Sequence, residues 1–213
     1  MIALPPTQMR WKLQRFQKDK QGFPWHVFRF DDVCVNADME LIQKMTDFLF
    51  DRFPDRVVVM WGLSPLVNDM SSEQSPIEQQ RIFPRILNAH SDHRLFYQVD
   101  KLGIPDKIDK RVALASHGLI HVDHRLLSKD AQEMSILISD SLAGNTKCFI
   151  PPFNKWNKDT EDICNEHQII LVKFEEGWKC MEYNSFDVNH SRWYLHAREF
   201  TFEQFREWFN HEN

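Results

Sequence analysis

No stretch of this 213-residue chain is apolar over the length a membrane-spanning helix needs. The opening MIALPPTQMRWKLQRFQKDK likewise lacks the apolar core of a signal peptide. Together these absences lead us to expect a cytoplasmic protein. Cysteine is sparse and unpaired: Cys34, Cys148, Cys164 and Cys180 lie far apart with no C-x-x-C spacing. That excludes a disulfide framework as the organising principle and predicts reduced, mostly buried thiols. Positive charge is not in excess either, with 26 Lys and Arg against 31 Asp and Glu, a net charge of −5. A general nucleic-acid binder needs a basic footprint, so that class of partner is set aside. Internal repeats and low-complexity tracts are also missing, which excludes solenoids and arrays.

What remains is 42% hydrophobic and 13% aromatic, enough for the core of one globular domain covering residues 1–213, with residues 1–26 as a polar, basic N-terminal arm. Val27–Phe30 reads as a short strand running into Asp31 and Asp32. Asp38 is a good N-cap for a helix whose Leu41, Ile42, Met45, Phe48 and Leu49 recur at helical spacing until Pro54. Val57–Trp61, VVVMW, is the kind of β-branched run found in a strand buried on both faces. Ser64–Ser75 reads as a long loop, and Ser75, Pro76 and Glu78 form a capping box that starts a helix. Leu95–Val99 is a third strand and Arg111–Ala115 a fourth. Ser128 caps a helix with Ala131, Met134, Leu137, Ile138 and Leu142 on its apolar side and Gly144 as its stop. Lys147–Ile150 is the fifth strand, cut off by Pro151-Pro152-Phe153, and a short helix near Thr160–Asn165 leads to the sixth, Ile169–Phe174. Trp193–Leu195 is the seventh, ending at His196, and Thr201 with Gln204 caps a closing helix bearing Phe202, Phe205 and Phe209. The alternation predicts an α/β fold with about seven mostly parallel strands, closing into an irregular (β/α) barrel.

Chemistry gathers at one end of these strands. Asp31 and Asp32 follow strand one, His117 and His121 strand four, the double-proline turn strand five, and His196 strand seven. All fall at the carboxyl ends, where α/β sheets place their sites. His117 and His121 stand four residues apart in SHGLIHVDHR, so both imidazoles can reach one divalent ion, whether on a helical turn or in a tight loop. Asp32 adds a hard oxygen, a ligand set that suits Zn2+ or a similar ion. Such an ion activates water and polarises a carbonyl oxygen. Asp31 is then placed to take a proton and His196 to give one, an assembly for hydrolysing an amide or ester.

These residues resemble the polysaccharide deacetylases of the NodB-homology type, metal-dependent carbohydrate esterases with a distorted (β/α) barrel. Phe30-Asp31-Asp32 is similar to the family's first motif, which implies Asp31 as general base and Asp32 as metal ligand. His117-Gly118-Leu119-Ile120-His121 resembles the second, the histidine pair of the metal site. Phe149-Ile150-Pro151-Pro152-Phe153 looks like the third, a wall whose backbone amide after the prolines helps hold an oxyanion. Leu195-His196 resembles the last, which supplies the general acid. The likeness runs in order from Val27 to Phe209. It implies an N-acetylated sugar or glycan as substrate, and the PPFNKWN wording resembles the branch associated with surface-polysaccharide and O-antigen biosynthesis.

The family usually carries Arg before the prolines, bonded to the general base, where this chain has Ile150. Either another cation, Arg29 or Arg198, takes over, or Asp31 is tuned differently. Gly118 stands where a hydroxyl residue is usual. Asp187 is a candidate to orient His196, and Trp156 to stack on a sugar ring. His124 is read as a surface residue in preference to a partner behind a metal ligand. Two other functions share most of these residues: a metallohydrolase of a non-sugar amide, and a non-catalytic sugar-binding or scaffold protein that keeps the metal site.

Overall fold

The computed structural model describes residues 25–34, 37–54, 56–64, 112–119, 121–174 and 177–210. Residues 1–24 of the expected arm, the loop after Ser64, the helix expected from Ser75 and the strand expected at Leu95–Val99 lie outside them. Within them the chain is α/β, with β1 (His26–Cys34), β2 (Val57–Ser64), β3 (Val112–Ser116), β4 (Cys148–Phe149), β5 (Ile170–Leu171), β6 (Lys179–Cys180) and β7 (Arg192–His196). All pair in parallel in one curled, half-barrel sheet of order β5-β4-β3-β2-β1-β7-β6. Strand β6 had no counterpart in the sequence reading, and β4 and β5 are shorter than expected. Four helices complete the described chain: α1 (Met39–Arg52), α2 (Lys129–Leu142), α3 (Lys158–Glu166) and α4 (Phe202–Trp208).

Every residue of β1 and β2 is buried, because the sheet is covered on both faces. Side chains alternate accordingly. Phe28, Phe30, Val59 and Trp61 belong to one apolar cluster, while Val27, Val58 and Met60 belong to the other. Strict alternation would put Asp31 and Asp32 on opposite faces. The sequence placed both acids after the strand; instead β1 continues to Cys34, with an irregularity between Phe30 and Val33 that inserts the two acids into it. Asp32 adopts a left-handed backbone, φ 58°, and Val33 rejoins the cluster of Phe28 and Phe30. A bulge of this kind re-aims a side chain at the cost of one regular pairing.

The first cluster is closed by α1 and α4. Asp38 caps α1 by accepting from the Leu41 amide, and Ile42, Met45, Leu49 and Phe50 are its buried side. The capping box of Thr201 and Gln204 is formed at α4, which presses Phe205 and Trp208 inward. Phe205 and Phe209 are fully buried, a contribution of about 1.5–3 kcal/mol each from area alone. Helix α2 corrects the sequence reading. Met134 is 44% exposed, and the buried side is Gln132, Ser135, Ile136, Ser139 and Asp140. The small hydroxyl residues let the helix approach the sheet closely and bond to it. Ser139 is hydrogen-bonded to Ser116, and Ser135 accepts from the Leu119 amide and is bonded to His124. Asp140 accepts from Thr146 and from the Lys147 amide. Helix α2 therefore fixes the loop after β3 through polar contacts, which a search for apolar periodicity passes over.

At the other end of the sheet His26 is fully buried with its ring 4.6 Å from that of Phe53. Its Nδ1 donates to the His190 carbonyl oxygen, and burial, aided by the positive Arg56, pushes its pKa down to about 4. An unfolded histidine takes a proton near pH 6.5, so below that pH the unfolded chain binds a proton that the folded chain refuses. The stabilisation is complete above pH 6.5 and declines as pH falls toward 4, by about 2 kcal/mol at pH 5. Urea titrations at pH 7 and pH 5 should therefore show a smaller loss of stability in His26→Phe than in the parent. An equal loss in both would show that His26 is protonated in the fold.

Candidate active site

The carboxyl ends of β1, β3 and β7 bring Asp32, His117, His121 and His196 together. The ligand atoms of Asp32, His117 and His121 all lie within 4.8 Å of one another. Asp32 Oδ1 is 3.3 Å from His117 Nε2 and 3.2 Å from His121 Nε2. His117 is held from behind, where its Nδ1 donates to the Ile150 carbonyl oxygen at 2.9 Å. That bond fixes the tautomer and leaves the Nε2 lone pair free for an ion. The backbone is pinned too: the His117 amide donates to Leu63 O, and Ser64 Oγ donates to the His117 carbonyl. The histidines sit in a loop rather than on a helical turn, with Gly118 at φ 82°.

Two buried atoms of this group, Asp32 Oδ1 and His117 Nε2, have no hydrogen-bond partner. Two imidazole nitrogens and a carboxylate oxygen with orphaned atoms fit a divalent cation. Burial pushes His121 down to about 3 against the pull of Asp32, so its ring is neutral at physiological pH, as a ligand must be. Burial would raise the Asp32 carboxyl, but the neighbouring imidazoles of His117 and His121 hold it well below the usual carboxylate range. A second group, Glu133, Glu166 and His167, differs in kind. His167 pairs with Glu133 at 2.6 Å and Lys129 approaches Glu166 at 3.6 Å, so each already has a partner.

Asp31 is 3% exposed and accepts from Arg29 Nη2 at 2.8 Å. Arg29 is fully buried, its guanidinium 4.7 Å from the Trp178 ring centroid and 4.9 Å from that of Tyr194. It also donates to Asn154 Oδ1 at 2.6 Å. Of the two cations considered for the place beside Asp31, Arg29 makes the contact. Arg198 lies 3.6 Å from Asp32 instead and is 65% exposed. Ile150, where an arginine was expected, is buried, and its side chain would be met 3.1 Å from a Cβ added at Gly62. The absent side chain of Gly62 makes room for that apolar packing.

His196 pairs in register with Asp31, strand to neighbouring strand. Its Nδ1 lies 3.2 Å from Glu182 Oε1, which also accepts from the His196 amide at 2.8 Å. Burial opposes the charged ring, but Glu182, Asp31 and Asp32 outweigh it and raise His196 to about 9. The sequence reading offered Asp187 as the orienting acid. The structure places Asp187 elsewhere, 4.0 Å from Lys179 and accepting from the Asn189 amide, because it belongs to the turn before β7. Glu182 was missed; it sits in the 3-10 turn Met181–Tyr183 directly after the unforeseen β6. Cys180 donates to its other oxygen at 2.7 Å, and burial together with Glu182 pushes that thiol up to about 12. All four cysteines are free and buried.

A cavity of about 540 Å³ opens onto this centre, lined by Asp32, His121, His196, Phe153, Tyr183 and Phe200 among others. Phe153 packs tilted against His121, ring centroids 4.2 Å apart, from an unusual backbone, φ 56°, in the 3-10 turn Pro152–Asn154. Pro152 is buried and Trp156 half-buried, and neither lines the cavity. His124 is fully buried, its Nδ1 donating to Val122 O and its Nε2 bonded to Ser135, which corrects its reading as a surface residue.

No family model matches the sequence. Among solved structures, a CE4 family pseudoenzyme from Bacillus anthracis superposes with a TM-score of 0.52 at 12% identity, over 87% of this chain and 59% of that one. This chain thus spans about three fifths of the pseudoenzyme's length. A mutant of it with restored enzymatic activity gives the same TM-score and identity over 87% and 61%. A family 4 carbohydrate esterase from Streptomyces lividans in complex with acetate gives 0.47 at 12% identity, over 81% and 79%. By its strand order and its likeness to the pseudoenzyme and the restored mutant, the chain has the fold of the carbohydrate esterase family 4 proteins, the NodB-like fold of polysaccharide deacetylases.

Proposed function

We propose that this chain is a metal-dependent deacetylase that removes the acetyl group from an N-acetylated sugar or glycan, in the biosynthesis of surface polysaccharide. One observation carries the reading: the buried, orphaned group Asp32, His117 and His121 is flanked by Asp31 and His196 on neighbouring strands. Asp32, His117 and His121 would hold the ion, with zinc the best match to the donor set. When bound, it supplies an activated water and a Lewis acid for the amide carbonyl. Asp31, not among the three ligands, takes a proton from water. Arg29 holds that carboxylate in place. His196 gives a proton to the departing nitrogen, and Glu182 orients the ring and keeps it protonated. Tyr183, 84% exposed at the cavity mouth, offers a face for a sugar ring.

A pseudoenzyme shares this fold, so the completeness of the set decides between an enzyme and a metal-binding relic. Ile150 in the arginine position weighed toward the relic. Arg29 weighs against it, since a buried cation aimed at Asp31 has no part in holding the ion.

His117→Ala and His121→Ala should each lose most of the bound metal, measured by elemental analysis of the purified protein. Undiminished content in both would sink the ligand assignment. Asp31→Asn should keep its metal while losing about two to four orders of magnitude in rate, the scale of general acid–base catalysis. An amine leaves poorly unless protonated, so His196→Ala should cripple hydrolysis of an acetamido sugar far more than that of an activated aryl acetate. Equal losses on the two substrates would show that His196 holds the site together without donating a proton.

A further inference from the structure

One pleat back from the rim, three neighbouring strands carry a second row of side chains beneath the reacting one. In the register of β1 with β7 and of β7 with β6, Arg29 is level with Tyr194 and Tyr194 with Cys180. Two residues further along stand Asp31, His196 and, just past the end of β6, Glu182. Each member of the lower row touches the one above it. Arg29 donates to Asp31 at 2.8 Å, Cys180 Sγ donates to Glu182 Oε2 at 2.7 Å, and the Tyr194 ring meets the His196 ring edge-on, with 6.2 Å between centroids. Arg29 also lies against the Tyr194 face, so the row is continuous on that side. Arg29 has a role as the partner of Asp31. Cys180 has none in the chemistry described so far.

The carboxylate of Glu182 gives Cys180 something to decide. Oε1 accepts from the His196 amide at 2.8 Å and lies 3.2 Å from His196 Nδ1, while Oε2 lies 3.4 Å from the same nitrogen. The two oxygens are therefore nearly equivalent toward the ring, and the bond from Cys180 to Oε2 is what distinguishes them. A thiol is a weak donor, but an anionic acceptor strengthens the bond. Cys180 is 6% exposed and its thiol, pushed up to about 12, keeps its proton, which makes it a donor and not a nucleophile. Its backbone is fixed as well. The Cys180 carbonyl accepts from Asn184 Nδ2 at 2.7 Å, and the Asn184 carbonyl accepts from the indole of Trp208 in α4 at 2.7 Å. The turn that carries Glu182 is thus anchored at both ends, and the Glu182 side chain, on the wall of the larger cavity, is the part left to rotate.

We propose that Cys180 is a positioning residue for the proton donor: its S–H holds Glu182 Oε2, so that Oε1 alone fixes the His196 ring with Nε2 turned toward the reacting centre. Nε2 stands 3.9 Å from Asp32 Oδ2 in that orientation. The consequence for rate rests on the hydrolase reading. The geometric claim does not, and the two are tested separately.

Cys180→Ala removes the donor and Cys180→Ser replaces it with a hydroxyl, each in the zinc-loaded full-length protein. Proton NMR at one fixed pH reads His196 Nδ1–H, identified by its absence in His196→Ala. The resonance should stay in place in Cys180→Ser and shift or broaden away in Cys180→Ala. Infrared difference spectra of parent and Glu182→Gln need no change at Cys180, and the S–H stretch should move to higher frequency as the acceptor loses its charge. In turnover, Cys180→Ala should lower kcat on an acetamido sugar about ten- to a hundredfold, the cost of a misplaced catalytic group, with KM within about twofold. The loss should be smaller on an activated aryl acetate, whose leaving group needs no acid, and Cys180→Ser should recover most of it. An unmoved resonance in Cys180→Ala, an S–H band that Glu182→Gln leaves in place, or alanine and serine variants that behave alike would each overturn the role of Cys180. The expected spectra with no hydrolysis of either substrate by the parent support the positioning and overturn the hydrolase. Hydrolysis by the parent with unmoved spectra does the reverse.

Discussion

A single buried cation ties the active end of this protein together. Arg29 is out of contact with water, and a charge in that position is tolerated only when partners replace the solvent. It finds a carboxylate on its own strand, the side-chain oxygen of Asn154 from the double-proline turn, and two aromatic faces from Trp178 and Tyr194. Those partners come from four separate stretches of chain. Nε and Nη1 are left without hydrogen-bond acceptors, so the aromatic faces supply much of the compensation. Removing the guanidinium would leave Asp31 as an uncompensated buried charge. Removing Asp31 would leave the guanidinium in the same position.

The contact also explains how the site tolerates an isoleucine in its third motif. Ile150 gives the apolar floor under Gly62 its packing, and its backbone carbonyl, which any residue would offer, orients His117. The cation stands instead on β1, the strand that bears the proposed base. Two positions apart on one strand, Arg29 and Asp31 share a face by the geometry of the pleat, so their pairing needs no loop to be placed correctly.

Much of this was legible in the sequence because the signals are local. A short apolar and aromatic run marks β1 and a β-branched run marks β2, side-chain caps mark α1, α2 and α4, and the polar residues at strand ends mark the rim. The parts that escaped are those fixed across the fold. Strands β4, β5 and β6 are two residues long, too short for any period to register. Trp178 and Cys180 alternating with Lys179, and Glu182 just beyond, repeat the pattern of a strand ending in a polar rim residue, and that was the available hint. Missing β6 meant missing Glu182 and crediting Asp187 in its place. His124 and the polar side of α2 were misread for a related reason. Buried histidine and serine pair with each other over eleven residues, and neither looks like core by itself.

The register of β1 against β7 sets Asp31 beside His196 as neighbours across adjacent strands. Parallel strands lie about 4.8 Å apart whatever connects them. The gap between the two groups proposed to handle the proton is thus inherited from the repeat of the sheet itself. Loops on the rim are free to lengthen, shorten or change composition over evolutionary time without retuning that gap. Such a scaffold lets the surfaces that choose a substrate drift while the chemistry beneath them stays in place.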